Sequence, residues 1–85
     1  MKMEYDKYDS LKQLIDDIKE IGEIIFRYGK KEYSLNYDGE KVYIAESFKQ
    51  ETERVFDSIE LFLNEFTCEG KKIKDIFREL KIVFH

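Results

Sequence analysis

The chain has 85 residues, with 15 Lys and Arg against 19 Asp and Glu, one Cys, one His, and neither Pro nor Trp. That length holds a single domain around one hydrophobic core, here residues 1–85, and 42% hydrophobic residues is too high a share for a chain that stays unfolded for want of apolar surface. A lone Cys forms no internal bridge and no His and Cys cluster offers a structural zinc site, so a reducing, cytoplasmic setting is expected. The opening Met1-Lys2-Met3-Glu4-Tyr5-Asp6 is polar where an export signal needs an apolar core, and no run of about 18 apolar residues suggests a membrane span. The net charge of -4 conceals an asymmetry: residues 1–70 carry 10 basic and 17 acidic side chains, residues 71–85 five and two. An acidic body repels phosphate, which argues against general nucleic-acid binding.

Between Ser10 and Gly22, Leu11, Leu14, Ile15, Ile18 and Ile21 recur at helical spacing. Asp9 or Ser10 caps this first helix, Ser10 with Gln13 fits a capping box, and Gly22 supplies a left-handed stop. The period then changes to two. Gly29-Lys30 as a tight hairpin turn pairs Arg27 with Glu32, Phe26 with Tyr33 and Ile24 with Leu35. Asp38-Gly39 as a two-residue turn pairs Tyr37 with Glu40, Leu35 with Val42 and Tyr33 with Ile44. Both registers place Ile24, Phe26, Tyr33, Leu35, Val42 and Ile44 on one core face of a three-stranded antiparallel meander, and Ile25, Arg27, Ser34, Asn36, Tyr43 and Ala45 on the other. Residues 47–54 are polar and fit a loop, a strand extension or an early helical turn equally well. Phe56-Asp57-Ser58-Ile59 repeats the helix-start pattern of Tyr8-Asp9-Ser10-Leu11, which predicts a second helix over 57–66, with Asp57 and Glu60 as a capping box and Phe56 stapled onto Leu61. After Glu69-Gly70, the spacing of Ile73, Ile76, Phe77 and Leu80 predicts a third helix. Lys81-Ile82-Val83-Phe84-His85 is β-prone and suited to a terminal strand on a sheet edge. The fold class expected is α+β: a helix, a three-stranded meander, two helices and that short strand.

Groups fit for catalysis are scarce. His85 is the one His and stands at the chain's end, where no orienting partner is evident. Cys68 has no activating His in a recognisable motif and reads as a small packing residue. Asp16-Asp17 with Glu20 lacks the alternating oxygen ligands of a cation loop, and the four glycines stand singly, so no phosphate loop is present. A non-enzymatic protein without cofactor or metal is expected. Its candidate protein-binding residues are the acidic Asp16, Asp17, Glu20, Glu51, Glu53, Asp57 and Glu60, which could address a basic cleft, and Ile25 and Tyr43 on the outer sheet face. The simpler account of the carboxylates is a solvated surface, and that of Ile25 and Tyr43 is cover by the third helix or the tail. An alternative is nucleic-acid binding by the basic Lys71, Lys72, Lys74 and Arg78, interleaved with Asp75 and Glu79, which pair along a helix. A third reading is a homodimer formed through a sheet edge or the outer face.

The expected order of one helix, three strands and a helix resembles double-stranded-RNA-binding domains. Those place a Lys-rich helix start directly after the third strand, where this chain has Glu46, Glu51, Glu53 and Asp57, so no RNA contacts carry over. A helix, a three-stranded meander and two helices in a short acidic chain also resembles some type II-A anti-CRISPR proteins, phage-encoded inhibitors that occupy the DNA-entry surface of Cas9. This resemblance spans the whole chain at the level of element order. It implies a protein partner, an inhibitory role and the host bacterium's cytoplasm. The abundance of Lys, Glu, Ile, Tyr and Phe is similar to that of small proteins of low-GC Gram-positive bacteria and their phages.

Overall fold

The computed structural model describes residues 7–84, without the side chain of Phe84, so residues 1–6 and His85 lie outside the described residues. The first helix, α1, is Leu11–Ile21. Ser10 caps it, its Oγ accepting from the Gln13 amide at 3.3 Å, while Gln13 Oε1 accepts from the Asp9 amide at 2.6 Å, one residue earlier than the expected box. Gly22 closes the helix at φ 78°, a left-handed geometry that disfavours any residue with a Cβ. A Cβ there would also stand 3.3 Å from the Tyr37 carbonyl oxygen, while the Gly22 carbonyl accepts from the Tyr37 amide at 2.9 Å. One glycine therefore ends the helix and ties it to the sheet.

The strands β1 (Glu23–Tyr28), β2 (Lys31–Tyr37), β3 (Val42–Glu46) and β4 (Lys49–Phe56) run as an antiparallel meander. The first hairpin has the expected register, with Arg27 opposite Glu32, Phe26 opposite Tyr33 and Ile24 opposite Leu35. The second is shifted by two residues: Tyr37 faces Val42, Leu35 faces Ile44 and Tyr33 faces Glu46. The cause is Asp38, whose Oδ1 accepts from the amides of Glu40 at 2.9 Å and Lys41 at 2.7 Å, folding 38–41 into a longer loop than a two-residue turn. A shift of two preserves the alternation, so the six expected core residues still share one buried face.

Residues 47–54, left open by the sequence, turn at Ser47-Phe48 and form most of β4. Ile44 faces Arg54 but Glu46 faces Lys49, so residues 50–53 bulge opposite Ala45. Thr52 holds the bulge, its Oγ1 accepting from the Glu46 amide at 2.8 Å and donating to the Lys49 carbonyl at 2.6 Å.

Helix α2 is Ile59–Glu65, shorter than expected, and its cap is Ser58 rather than Asp57: Ser58 Oγ accepts from the Leu61 amide at 3.1 Å. With the cap one residue later, Phe56 packs on Phe62 at 5.8 Å between ring centroids, and Leu61 points outward. The paired dipeptides β5 (Thr67–Cys68) and β6 (Lys71–Lys72), which the sequence did not suggest, follow. The third helix is cut to α3 (Ile73–Ile76) and a 3₁₀ turn at Phe77–Glu79. Strand β7 (Lys81–Phe84) then joins β1, as the β-prone tail suggested, giving the five-stranded order β4-β3-β2-β1-β7.

Passing from the β4 edge to the β7 edge, the chain carries α2, β5–β6 and α3 across the inner face of the sheet. Leu14 and Ile18 of α1, Ile59, Phe62 and Leu63 of α2, and Ile73 and Ile76 of α3 form one buried cluster with the inner-face side chains. A file of rings, Phe26, Tyr33, Phe66 and Phe62, crosses from β1 to α2 with centroids 5.4–5.7 Å apart. The architecture is a small α+β globule with its layers on one side of the sheet.

Candidate functional site

Because all three helices enter the inner-face cluster, no helix among the described residues packs on the outer face of the sheet. Cover of Ile25 and Tyr43 by the third helix, one of the two expectations, is therefore not what occurs. Both residues are half-buried on the outer face, but β2 runs between them, with Ser34 opposite Ile25 and Asn36 opposite Tyr43.

The acidic candidates are divided among three places. Asp16, Asp17 and Glu20 lie on α1, where Asp16 pairs with Lys12 at 2.8 Å and Asp17 Oδ2 accepts from the buried Tyr8 hydroxyl at 2.8 Å. Glu60 stands on α2, beside an apolar groove of about 420 Å³ floored by Leu11, Ile15, Ile59 and Leu63 and flanked by Lys19 and Lys74. Glu51 and Glu53 are exposed on β4, and Asp57 follows it, 3.9 Å from Lys41 Nζ. Of these, Glu53 adjoins the outer face.

That face carries a second concavity of about 350 Å³, lined by Ser34, Asn36, Tyr43, Ala45, Phe48 and Glu53 among others. Tyr43 lines it, and its hydroxyl donates to Asp38 Oδ2 at 3.1 Å. The bond to Asp38 pushes the Tyr43 phenol up, with burial and then the charges of Asp38, Glu53 and Glu40 adding to it. The amides of Lys41 and Glu40 hold the Asp38 carboxyl below its usual range. Lys49 and Glu46 also line the concavity, paired with each other at 2.8 Å, and Lys41 lies 3.9 Å from Asp57. Val55, opposite Tyr43 on β4, is 48% exposed.

Sequence reasoning missed Phe48. It sits at the tip of the β3–β4 hairpin, 102% exposed, with φ 66°. A left-handed backbone costs an L-residue roughly 1–2 kcal/mol, and the usual occupants are Gly, Asn and Asp. A polar stretch of undecided structure held no cue that its aromatic residue marked the turn.

The basic candidates are partly spent on the fold. Arg78 Nε donates to the Asp9 carbonyl at 3.2 Å and Lys74 Nζ to Asn64 Oδ1 at 3.0 Å, leaving Lys71 and Lys72 exposed on β6. The two sheet edges are irregular, β4 by its bulge and β7 by a register shift at Ile25/Phe26, and irregular edges disfavour pairing with a second copy. Cys68 is buried, and burial pushes its thiol up to about 11, the reverse of an activated nucleophile. Among the described residues no group of three or more His, Cys, Asp or Glu side chains is placed to hold a metal ion, and no helix is long and apolar enough to cross a membrane.

Compared with family models, with curated proteins and with solved structures, the chain matches none. The observed order also adds β4 and β7 to the element order on which the anti-CRISPR resemblance rests.

Proposed function

We propose that the chain is a protein-binding module without chemistry of its own, and that it binds through the outer sheet face and β4. The observation that carries this reading is Phe48. A fully exposed Phe in a left-handed turn is unfavourable twice over, in backbone conformation and in solvation, and a Gly or Asn would relieve both. A side chain kept under those conditions fits the role of an anchor inserted into a partner's pocket, where aromatic residues carry much of the binding energy.

Glu51 and Glu53 next to that anchor extend the reading to a partner with a basic cleft. Together with the anti-CRISPR resemblance, they support an inhibitor that occupies the nucleic-acid channel of an enzyme such as a CRISPR nuclease. Affinity capture from the native host, with mass spectrometry, tests this using the wild-type chain, Phe48→Ala and the pair Glu51→Lys/Glu53→Lys. A partner retained by the wild type, lost with either variant and released steeply by added salt is the expected result. Capture unchanged in both variants would sink the assignment.

A further inference from the structure

We infer that the β4 bulge is a clamp that sets Phe48 in place before any partner arrives, with Thr52 as its positioning residue. This rests on the reading of Phe48 as an anchor and adds how the fold aims it. Glu46 and Lys49 face each other across the Ser47-Phe48 turn, and Thr52 Oγ1 reaches both. It accepts from the Glu46 amide at 2.8 Å and donates to the Lys49 carbonyl at 2.6 Å. Three residues of a regular strand span about 10 Å, too far for a Thr hydroxyl to reach back from 52 to 49. The bulge at 50–53 brings it there, so one hydroxyl closes both ends of the turn.

The turn does not have the local geometry to hold itself. Two-residue turns that match strand twist need positive φ at both central residues or at the first. Here the second, Phe48, has φ 66° and Ser47 is not at positive φ. The hold comes instead from the flanks. The Ser47 amide donates to the Glu32 carbonyl at 2.9 Å, Lys49 Nζ lies 2.8 Å from Glu46 Oε2, and Lys31 Nζ lies 3.7 Å from Glu46 Oε1. Glu46, Ser47 and Lys49 are thus tied down while the Phe48 ring between them stands fully exposed. A bulge that only blunted the sheet edge would need no such grip on the turn. Bulges beside functional sites re-aim a side chain, and a loop ordered in advance spares a complex the cost of ordering it.

The test compares the full ¹⁵N-labelled chain as wild type, Thr52→Val and Thr52→Ser. Val keeps the branched shape suited to a strand and removes the hydroxyl, whereas Ser retains it. In the wild type the Phe48 amide should be rigid, with an order parameter near about 0.85, and in Thr52→Val it should fall below about 0.6. Exchange of the Glu46 amide should become about fivefold faster in Thr52→Val. Thr52→Ser should restore both readings, and inner-face amide shifts should stay unchanged throughout. A Phe48 that is mobile in the wild type, equally rigid in Thr52→Val, or not restored by Thr52→Ser would overturn the inference. These outcomes separate from those of partner capture. Capture unchanged by Phe48→Ala removes the anchor and leaves the clamp, whereas capture lost with Phe48→Ala while Thr52→Val leaves Phe48 rigid keeps the anchor and removes the clamp.

Discussion

The two faces of this sheet are built from the same strands and obey different constraints. On the inner face, Ile24, Phe26, Leu35, Val42 and Ile44 are at most 1% exposed and belong to the buried cluster that the helices enter. On the outer face, Ile25, Ser34, Tyr43 and Ala45 are only half-buried, and the concavity that Ser34, Tyr43 and Ala45 border holds Glu46, Lys49, Glu53 and the exposed Phe48. Folding therefore fixes the inner residues through packing and leaves the outer ones free to be selected for something else. Large apolar side chains on the inner face should be costly to remove, whereas Phe48 should be costly only to binding.

The sharpest test exchanges one residue type in both settings. Phe62 is fully buried and stacks on Phe66 at 5.4 Å, so Phe62→Ala should lose about 3–5 kcal/mol in urea unfolding. Phe48→Ala, made at a fully exposed position, should stay within about 0.5 kcal/mol of wild type. A loss at Phe48 comparable to that at Phe62 would break the division between the faces.

A second difference appears at alkaline pH. On the inner side, burial pushes the Tyr33 phenol up to about 12 and the Cys68 thiol up to about 11, with the two side chains influencing each other. Both groups are neutral when protonated, and both ionise more readily in the unfolded chain, near pH 9 for Cys and pH 10 for Tyr. Above those values the unfolded state binds fewer protons, so stability should fall as pH rises, by at most about 1.4 kcal/mol per pH unit for each group. Thermal melts from pH 7 to 11 should show the decline beginning near pH 9 in the wild type and nearer pH 10 in Cys68→Ala. An onset unmoved by that substitution would contradict the role given to Cys68.

The inner face was legible in the sequence because alternation is robust. Asp38 shifted the second hairpin by two residues and the core set survived, since only an odd slip exchanges the faces. Capping was legible in kind but displaced by one residue at Asp57 and Ser58, where two adjacent side chains both suit the position and packing of Phe56 on Phe62 decides between them. The outer site was not legible. Tyr43 could be placed on its face, but β4 departs from period two at a bulge that a Thr hydroxyl stabilises, and nothing in 47–54 marks Phe48 as a turn residue. The carboxylates named from composition proved to be scattered, because negative charge along a chain says nothing of which side chains the topology brings together.

The smallest effect is the most discriminating about Phe48. If its left-handed backbone is a cost carried for binding, Phe48→Gly should relieve that cost without giving up buried apolar surface, since Phe48 is fully exposed. Part of the gain is returned because Gly also makes the unfolded chain more flexible, so a net stabilisation of about 0.5–1 kcal/mol is expected. Partner capture should fall in the same variant, setting stability and binding in opposition at a single position. Phe48→Asn provides the check on mechanism, since Asn tolerates the left-handed region without Gly's flexibility and should also stabilise while losing binding. Were both variants less stable than the wild type by unfolding in urea, Phe48 would be holding the hairpin together, and the exposed ring would lose its standing as an anchor.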